Sequence, residues 1–340
     1  MHRIYISLIY FLIFIFAASE GWAKREYVLR GQTMGTTYQV KLVTGDDEGI
    51  YGVKEKIDLR LLEINRSMST YQKDSEISRF NRFNKVGLKF KISNDFFRVM
   101  RAGQKIHRLS GGAWDGTVTP LVDLWGFGRS GRRDKAPPKS EIAALLPDIG
   151  LANIDVLNPG FLAKRRAAVT IDLSSIAKGY GVDEVAALLR ELGYMDYLVE
   201  IGGEIFAAGH REDNTRWHIG INRPRADAAF DEVYKVVSMH NQAFATSGDY
   251  RNFFEVDGTR YSHVIDPRSG YPVSNGVAGV SIVAGTCTFA DGLATAVMVM
   301  GAEKGLELIN RLDGVEGLIV VEQTDGTLAD YASKGFEVIN

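Results

Sequence analysis

A chain of 340 residues with 45% hydrophobic content can bury a full-sized core. Its 40 basic and 42 acidic residues leave a formal charge of −2, so no broad positive field draws it to nucleic acid or anionic lipid. The single cysteine, Cys287, excludes an internal disulfide and a cysteine-based metal centre, and reads as a small buried apolar residue.

Arg3 precedes an uncharged run from Ile4 to Ser19, and small residues suited to cleavage lie between Ala17 and Ala23. The run is shorter than the roughly 20 apolar residues of a membrane-spanning helix. Residues 1–23 are therefore expected to be a secretory signal, with an uncleaved membrane anchor as the alternative. Residues 24–340 are then one exported domain, expected in the periplasm, with no cysteine after the signal to take a lipid anchor.

Glu26 to Val43 predicts two strands about a turn at Gly35, with Tyr38, Val40 and Leu42 alternating onto one sheet face. A helix follows over about Gly52–Asn65, striped by Val53, Ile57, Leu61, Leu62 and Ile64, and leads into the polar stretch MSTYQKDSEISRFN. A second helix, Asp95–Leu109, stops at Gly111 and Gly112. The segment Gly111–Gly128 is too rich in glycine and aromatics for an ordinary helix and reads as a binding loop. After a basic surface loop, Arg129–Lys139, a short helix starts at Glu141.

Ala168–Leu173 predicts a strand, and Ser174 or Ser175 caps a helix running to about Leu192. Strands are expected at Tyr197–Ile201, Ile205–Ala207, His218–Ile221, Val233–Val237, Asn252–Val256, Arg260–Ile265 and Val277–Val283, then a helix from Phe289. Strands in succession, rather than in strict alternation with helices, predict an α+β fold: a mixed or antiparallel sheet core with flanking helices. No repeat of solenoid length is present.

Several segments carry residues suited to chemistry. Asp291 and Thr295, spaced i, i+4, share one helix face and offer a carboxylate and a hydroxyl to a hard cation such as Mg²⁺. The alternative is capping, since Thr288 and Asp291 have the spacing of an N-terminal capping box. His263 sits in a predicted strand before the turn Asp266–Gly270 and suits a general base. It equally suits a histidine hydrogen-bonded within the sheet, with Asp266 as a turn former.

In DLSSIAKGYG, backbone amides at the helix start suit a phosphate, while Asp172 suits hydrogen bonds from a ligand ring or sugar. Serine caps with an Asp172–Lys178 surface pair explain the same residues. A GxxxxGK[ST] loop and a GxGxxG helix start are both missing, which argues against a P-loop ATPase and a Rossmann dehydrogenase. Tyr71, Trp114, Trp125 and Phe127 can stack on a flat ring or fill the core. Met34, between two glycines, can pack on a ring or simply fill a turn.

In this order, GQTMGTTYQV, MSTYQKDSEISRFN, GGAWDGTVTPLVDLWGFG, DLSSIAKGYG, VEIGGE, TSGDYRNFFEVDGTRYSHVIDPRSGYP and DGLATAVMVMG resemble the ApbE family of flavin transferases, from about Gly31 to Gly301. The resemblance implies the family's T-fold-like α+β domain and Mg²⁺-dependent transfer of FMN from FAD to a threonine or serine hydroxyl of an acceptor protein, with release of AMP. It implies an FAD site at Met34, Tyr71, Ala113, Trp114, Asp115, Asp172, Lys178 and Ile265. It also implies a metal held by Ser175, Asp291 and Thr295, and His263 as base.

Acceptors implied by the resemblance are flavoprotein subunits of membrane redox complexes. An FAD pyrophosphatase yielding FMN and AMP, or an exported FAD-binding protein without turnover, are the alternatives. The chain departs from some relatives at Ala294 and at Lys178, where those relatives are acidic, and in having no lipid-anchoring cysteine.

Overall fold

Strands Arg25–Thr33 and Thr36–Thr44 pair antiparallel across a two-residue turn at Met34 and Gly35, both with positive φ, the backbone that matches a tight hairpin to the twist of its strands. They begin an eight-stranded sheet whose spatial order follows chain order, each strand antiparallel to the next. Tyr197–Ile201, Glu204–Ala208, Gln242–Gly248, Val277–Ala284, Glu316–Glu322 and Leu328–Ala332 complete it. The fold is α+β, as expected, with an antiparallel principal sheet. The computed structural model describes residues 24–45, 50–128, 131, 135–229, 232–249, 253–256 and 259–339. The segment 1–23 read as an export signal, part of the basic loop 129–139, and Asn252 lie outside them.

Alternation sorts the sheet into two faces. Tyr38, Val40, Leu42, Val199, Ile282 and Ile319 join one core with helices Val53–Met68, Ser174–Glu191, Cys287–Met300 and Ala302–Asn310. Val43, Leu198, Phe244, Val283 and Leu318 join the other, covered by the hairpin of Trp217–Asn222 and Val233–Met239. Each large apolar side chain so buried contributes about 1.5–3 kcal/mol.

Two helices of the first core cross almost backbone to backbone. A Cβ placed on Gly179, in Ser174–Glu191, would stand 2.4 Å from the carbonyl oxygen of Cys287 in the other helix. Cys287 itself is buried, as its composition suggests, and burial holds its thiol neutral with a pKa well above the usual value.

Several sequence expectations are corrected. Ala168–Leu173 forms no strand: Ala168 lies in a turn and Val169–Leu173 runs without regular structure. Its backbone groups are taken instead by Asn81, which bonds both the N–H and the C=O of Ile171 at 2.8 Å, and by Gly116, whose carbonyl accepts Asp172 N–H at 2.7 Å. Neither Ser174 nor Ser175 caps the next helix: Asp172 Oδ1 accepts the Ser174 N–H at 2.7 Å. The predicted strand Arg260–Ile265 breaks at His263, because Thr259–Ser262 pairs with Phe253–Val256 while Ile265–Asp266 pairs with Tyr271–Pro272.

Leu62 lies outside the apolar stripe of its helix, 41% exposed. Short helices form at Glu76–Arg82, within the polar stretch, and at Thr119–Leu124, within the glycine-rich loop. The three-stranded sheet of Lys89–Lys91, Ile154–Leu157 and Phe161–Lys164 has strands too brief to show a period.

Candidate functional site

The helix Cys287–Met300 starts two residues before the predicted Phe289, and its N-terminus is capped from outside. Asp183 accepts the N–H groups of Cys287 at 2.7 Å and Thr288 at 2.8 Å, and also the Thr288 hydroxyl. The capping-box reading of Thr288 and Asp291 is therefore overturned, and Asp291 is left for another task. Its carboxylate is 3% exposed and accepts the Gly179 N–H at 3.0 Å.

Asp291 lines a cleft of about 950 Å³, together with Thr295, one helical turn on. Thr295 Oγ1 lies 3.2 Å from Ser247 Oγ, at the end of strand Gln242–Gly248. Ser175, on the opposing helix, accepts the Trp114 indole N–H at 3.0 Å, and its hydroxyl keeps a lone pair for a ligand. Glu204 and Lys178 line the same cleft, with Lys178 Nζ 2.6 Å from Glu204 Oε2.

Burial pushes the Asp291 pKa up, and the Lys178 charge and the Gly179 amide only partly offset it. Glu204 is pushed up to about 8 by burial and by the charge of Asp291, against the opposing pull of Lys178. Burial works against the Lys178 ammonium, but the two carboxylates outweigh it and its pKa is raised. Lys178 is thus no surface partner of Asp172 but the counter-charge of a buried acidic pair.

Oxygen donors of this kind, two carboxylates and two or three hydroxyls, suit a hard divalent cation. Glu204 strengthens the fit, because it is a buried carboxyl lining the cleft whose close partner is the Lys178 ammonium. No cluster of three or more His, Cys, Asp or Glu is present among the described residues, so such a cation would rest on mixed carboxylate and hydroxyl groups.

Other parts of the lining come from loops. His263 lies in the bend between two hairpins and meets the Phe127 ring edge-on, with centroids 6.3 Å apart. Ile265, 4% exposed, anchors that bend in a small core with Leu121 and Trp125. Asp266 is a turn former: its carboxylate accepts the Arg268 N–H at 2.9 Å and pairs with the guanidinium. At the rim, Tyr71 is 86% exposed and presents its ring to the cleft mouth.

Trp114, by contrast, is almost wholly buried, so the core account applies to most of its ring. Asp115 accepts the N–H of Thr117 and of Leu151 and lies 3.2 Å from His107 Nδ1, so its carboxylate is committed to shaping the loop. Asp172 is similarly engaged, accepting from Ser174 N–H and from the Thr70 hydroxyl.

Of the twelve site residues that the family resemblance implies, eleven line this cleft: Tyr71, Ala113, Trp114, Asp115, Asp172, Ser175, Lys178, His263, Ile265, Asp291 and Thr295. Met34 does not. It lies in a separate hollow of about 610 Å³ with Thr33, Thr36 and Asn65, and its methyl group packs towards Gly181. Glu204, Ser247 and Asn81 line the cleft without having been singled out. Glu204 follows Gly202 and Gly203 directly, and that adjacency of a carboxylate to a glycine pair was the available signal.

The ApbE family matches residues 34–319. The chain is 42% identical over 312 residues, covering 91% of both proteins, to an FAD:protein FMN transferase of Vibrio cholerae. It is 40% identical to one of Haemophilus influenzae, over 91% of this chain and 90% of the other. Among solved structures it resembles the flavin transferase ApbE from Vibrio cholerae, at TM-score 0.83 and 40% identity, covering 92% of this chain and 98% of that one. The apo form of the Pseudomonas stutzeri flavinyl transferase ApbE superposes at TM-score 0.82 and 36% identity, covering 92% and 95%.

Proposed function

The chain belongs to the ApbE family and is a transferase, and from that premise we propose that it is a Mg²⁺-dependent FAD:protein FMN transferase. It moves FMN from FAD to a threonine or serine hydroxyl of an acceptor protein. The observation that carries this reading is the joining, in the lining of one cleft of about 950 Å³, of a buried oxygen set around Asp291 with a histidine. That volume lies at the upper end for small-ligand sites and suits a dinucleotide.

Asp291, Thr295 and Ser175 would hold Mg²⁺, which when bound neutralises charge on the FAD diphosphate. His263 accepts the proton of the acceptor hydroxyl, whose oxygen then bonds to the FMN phosphorus as the bond to AMP breaks. AMP carries away the electron pair, and the product is a phosphoester-linked flavoprotein. Tyr71 at the rim offers a ring for the flavin.

The export signal read in residues 1–23 supports action outside the cytoplasm, on flavoprotein subunits of membrane redox complexes. Among the described residues no helix is long and apolar enough to cross a membrane.

The test is to incubate the protein with FAD, Mg²⁺ and an acceptor domain, with and without EDTA, and to read acceptor mass together with released AMP and FMN. A metal-dependent gain of one FMN on the acceptor, matched by AMP, is expected. AMP with free FMN and an unmodified acceptor would favour the pyrophosphatase, and intact FAD would leave a binding protein.

A further inference from the structure

Glu204 opens the strand Glu204–Ala208 with its side chain 2% exposed on the cleft floor. Lys178 Nζ lies 2.6 Å from its Oε2 and pairs with it. Asp291, from a third element, lies within electrostatic reach of both. The trio holds two buried carboxyl groups and one ammonium, so one of the two acids has no counter-charge in a place where charge is costly unless matched. The carboxylates sit on short stems in the core, whereas the Lys178 side chain is 30% exposed and has a flexible four-carbon stem.

We propose that Lys178 is a tethered cation that competes with the divalent metal for Glu204 and Asp291, and that Glu204 is a further anionic group of the cation site. This rests on the reading of Asp291 and Thr295 as cation ligands. A hard dication approaching the two carboxylates repels the ammonium, which swings from Glu204 towards the cleft. There it meets the phosphate oxygens of an incoming dinucleotide. The lysine thereby sets cation affinity below what two buried carboxylates alone would give, because like charges at a few ångströms repel strongly in a water-poor site.

The test is calorimetric titration of the protein with MnCl₂ alone, in the absence of FAD, for wild type, Lys178→Gln, Lys178→Arg and Glu204→Gln, with melting curves in EDTA to establish folding. Lys178→Gln, whose amide can still donate to Glu204, is expected to tighten Mn²⁺ binding about tenfold or more. Lys178→Arg keeps the charge and grips a carboxylate with two donors, so it is expected to bind Mn²⁺ no tighter than wild type. Glu204→Gln is expected to weaken binding about tenfold. Unchanged or weaker binding by Lys178→Gln, tighter binding by Lys178→Arg, or unchanged binding by Glu204→Gln would each overturn the inference while leaving the cation site standing. A wild-type protein that binds no Mn²⁺ would overturn the cation site and the inference together.

Discussion

Asp291 Oδ2 accepts the backbone N–H of Gly179 at 3.0 Å, and this bond joins the two helices that cross beneath the cleft. One carboxylate therefore braces a helix crossing and supplies a buried negative charge on the cleft floor. The two tasks separate on substitution. Asp291→Asn keeps an oxygen for the Gly179 N–H and removes only the charge, so melting temperature is expected to stay near wild type while Mg²⁺-dependent transfer falls by about a hundredfold or more. Asp291→Ala also orphans the Gly179 amide and is expected to cost a further 1–3 kcal/mol or so of stability. Full activity in Asp291→Asn would reduce the residue to its bracing role.

The same crossing depends on the missing side chain of Gly179. A Cβ there would meet the Cys287 carbonyl at 2.4 Å and Asp291 Cβ at 2.9 Å, and the first of these is backbone that cannot rotate away. Gly179→Ala is expected to destabilise the protein by about 1–3 kcal/mol or more. Urea unfolding would show it as a lower midpoint at unchanged slope. An unshifted midpoint would mean that the helices separate at little cost.

His263 is held by a bend rather than by a sheet, which gives its ring to the cleft. His263→Gln is expected to lower single-turnover transfer by about 10²–10⁴ while flavin-fluorescence titration shows FAD affinity within a few-fold of wild type. Parallel losses in affinity and rate would instead identify His263 as a binding group.

Away from the reaction, Asp115 bonds to His107 at 3.2 Å and raises the histidine's pKa above its usual 6.5, with burial opposing. The folded protein then holds this proton more tightly than the unfolded chain. The stabilisation is complete below about pH 6.5 and is lost as pH rises through the higher folded-state value. The stability gap between wild type and His107→Asn is accordingly expected to be widest in mild acid and to narrow towards alkaline pH. A gap independent of pH would leave the ring a packing role alone.

Much of this architecture is legible in local pattern. Tyr38, Val40 and Leu42 alternate because a strand turns every second side chain to one face, and all three lie in the core that alternation assigns them. Val53, Ile57, Leu61 and Ile64 are buried at helical spacing for the corresponding reason. Leu62 shares their composition but not their face, and is exposed. Likewise the order of short motifs, from Met34 to Thr295, marks the family, since a hydroxyl or carboxylate beside glycine is a local arrangement that survives as text.

The roles of Asp291, Asp172 and Lys178 were not local. Whether Asp291 caps a helix or faces a ligand depended on Asp183, 108 positions earlier in the chain, already occupying that helix end. Ala168–Leu173 has a strand's composition, yet Asn81 and Gly116 satisfy its backbone before any strand does. Lys178 reads as a surface charge until the turn at Gly202 and Gly203 brings Glu204 against it. Periodicity and turn chemistry are written within a few residues and determine the strands, helices and motif order. The pairing of buried charges and the satisfaction of backbone groups depend on partners that only the folded chain brings within reach.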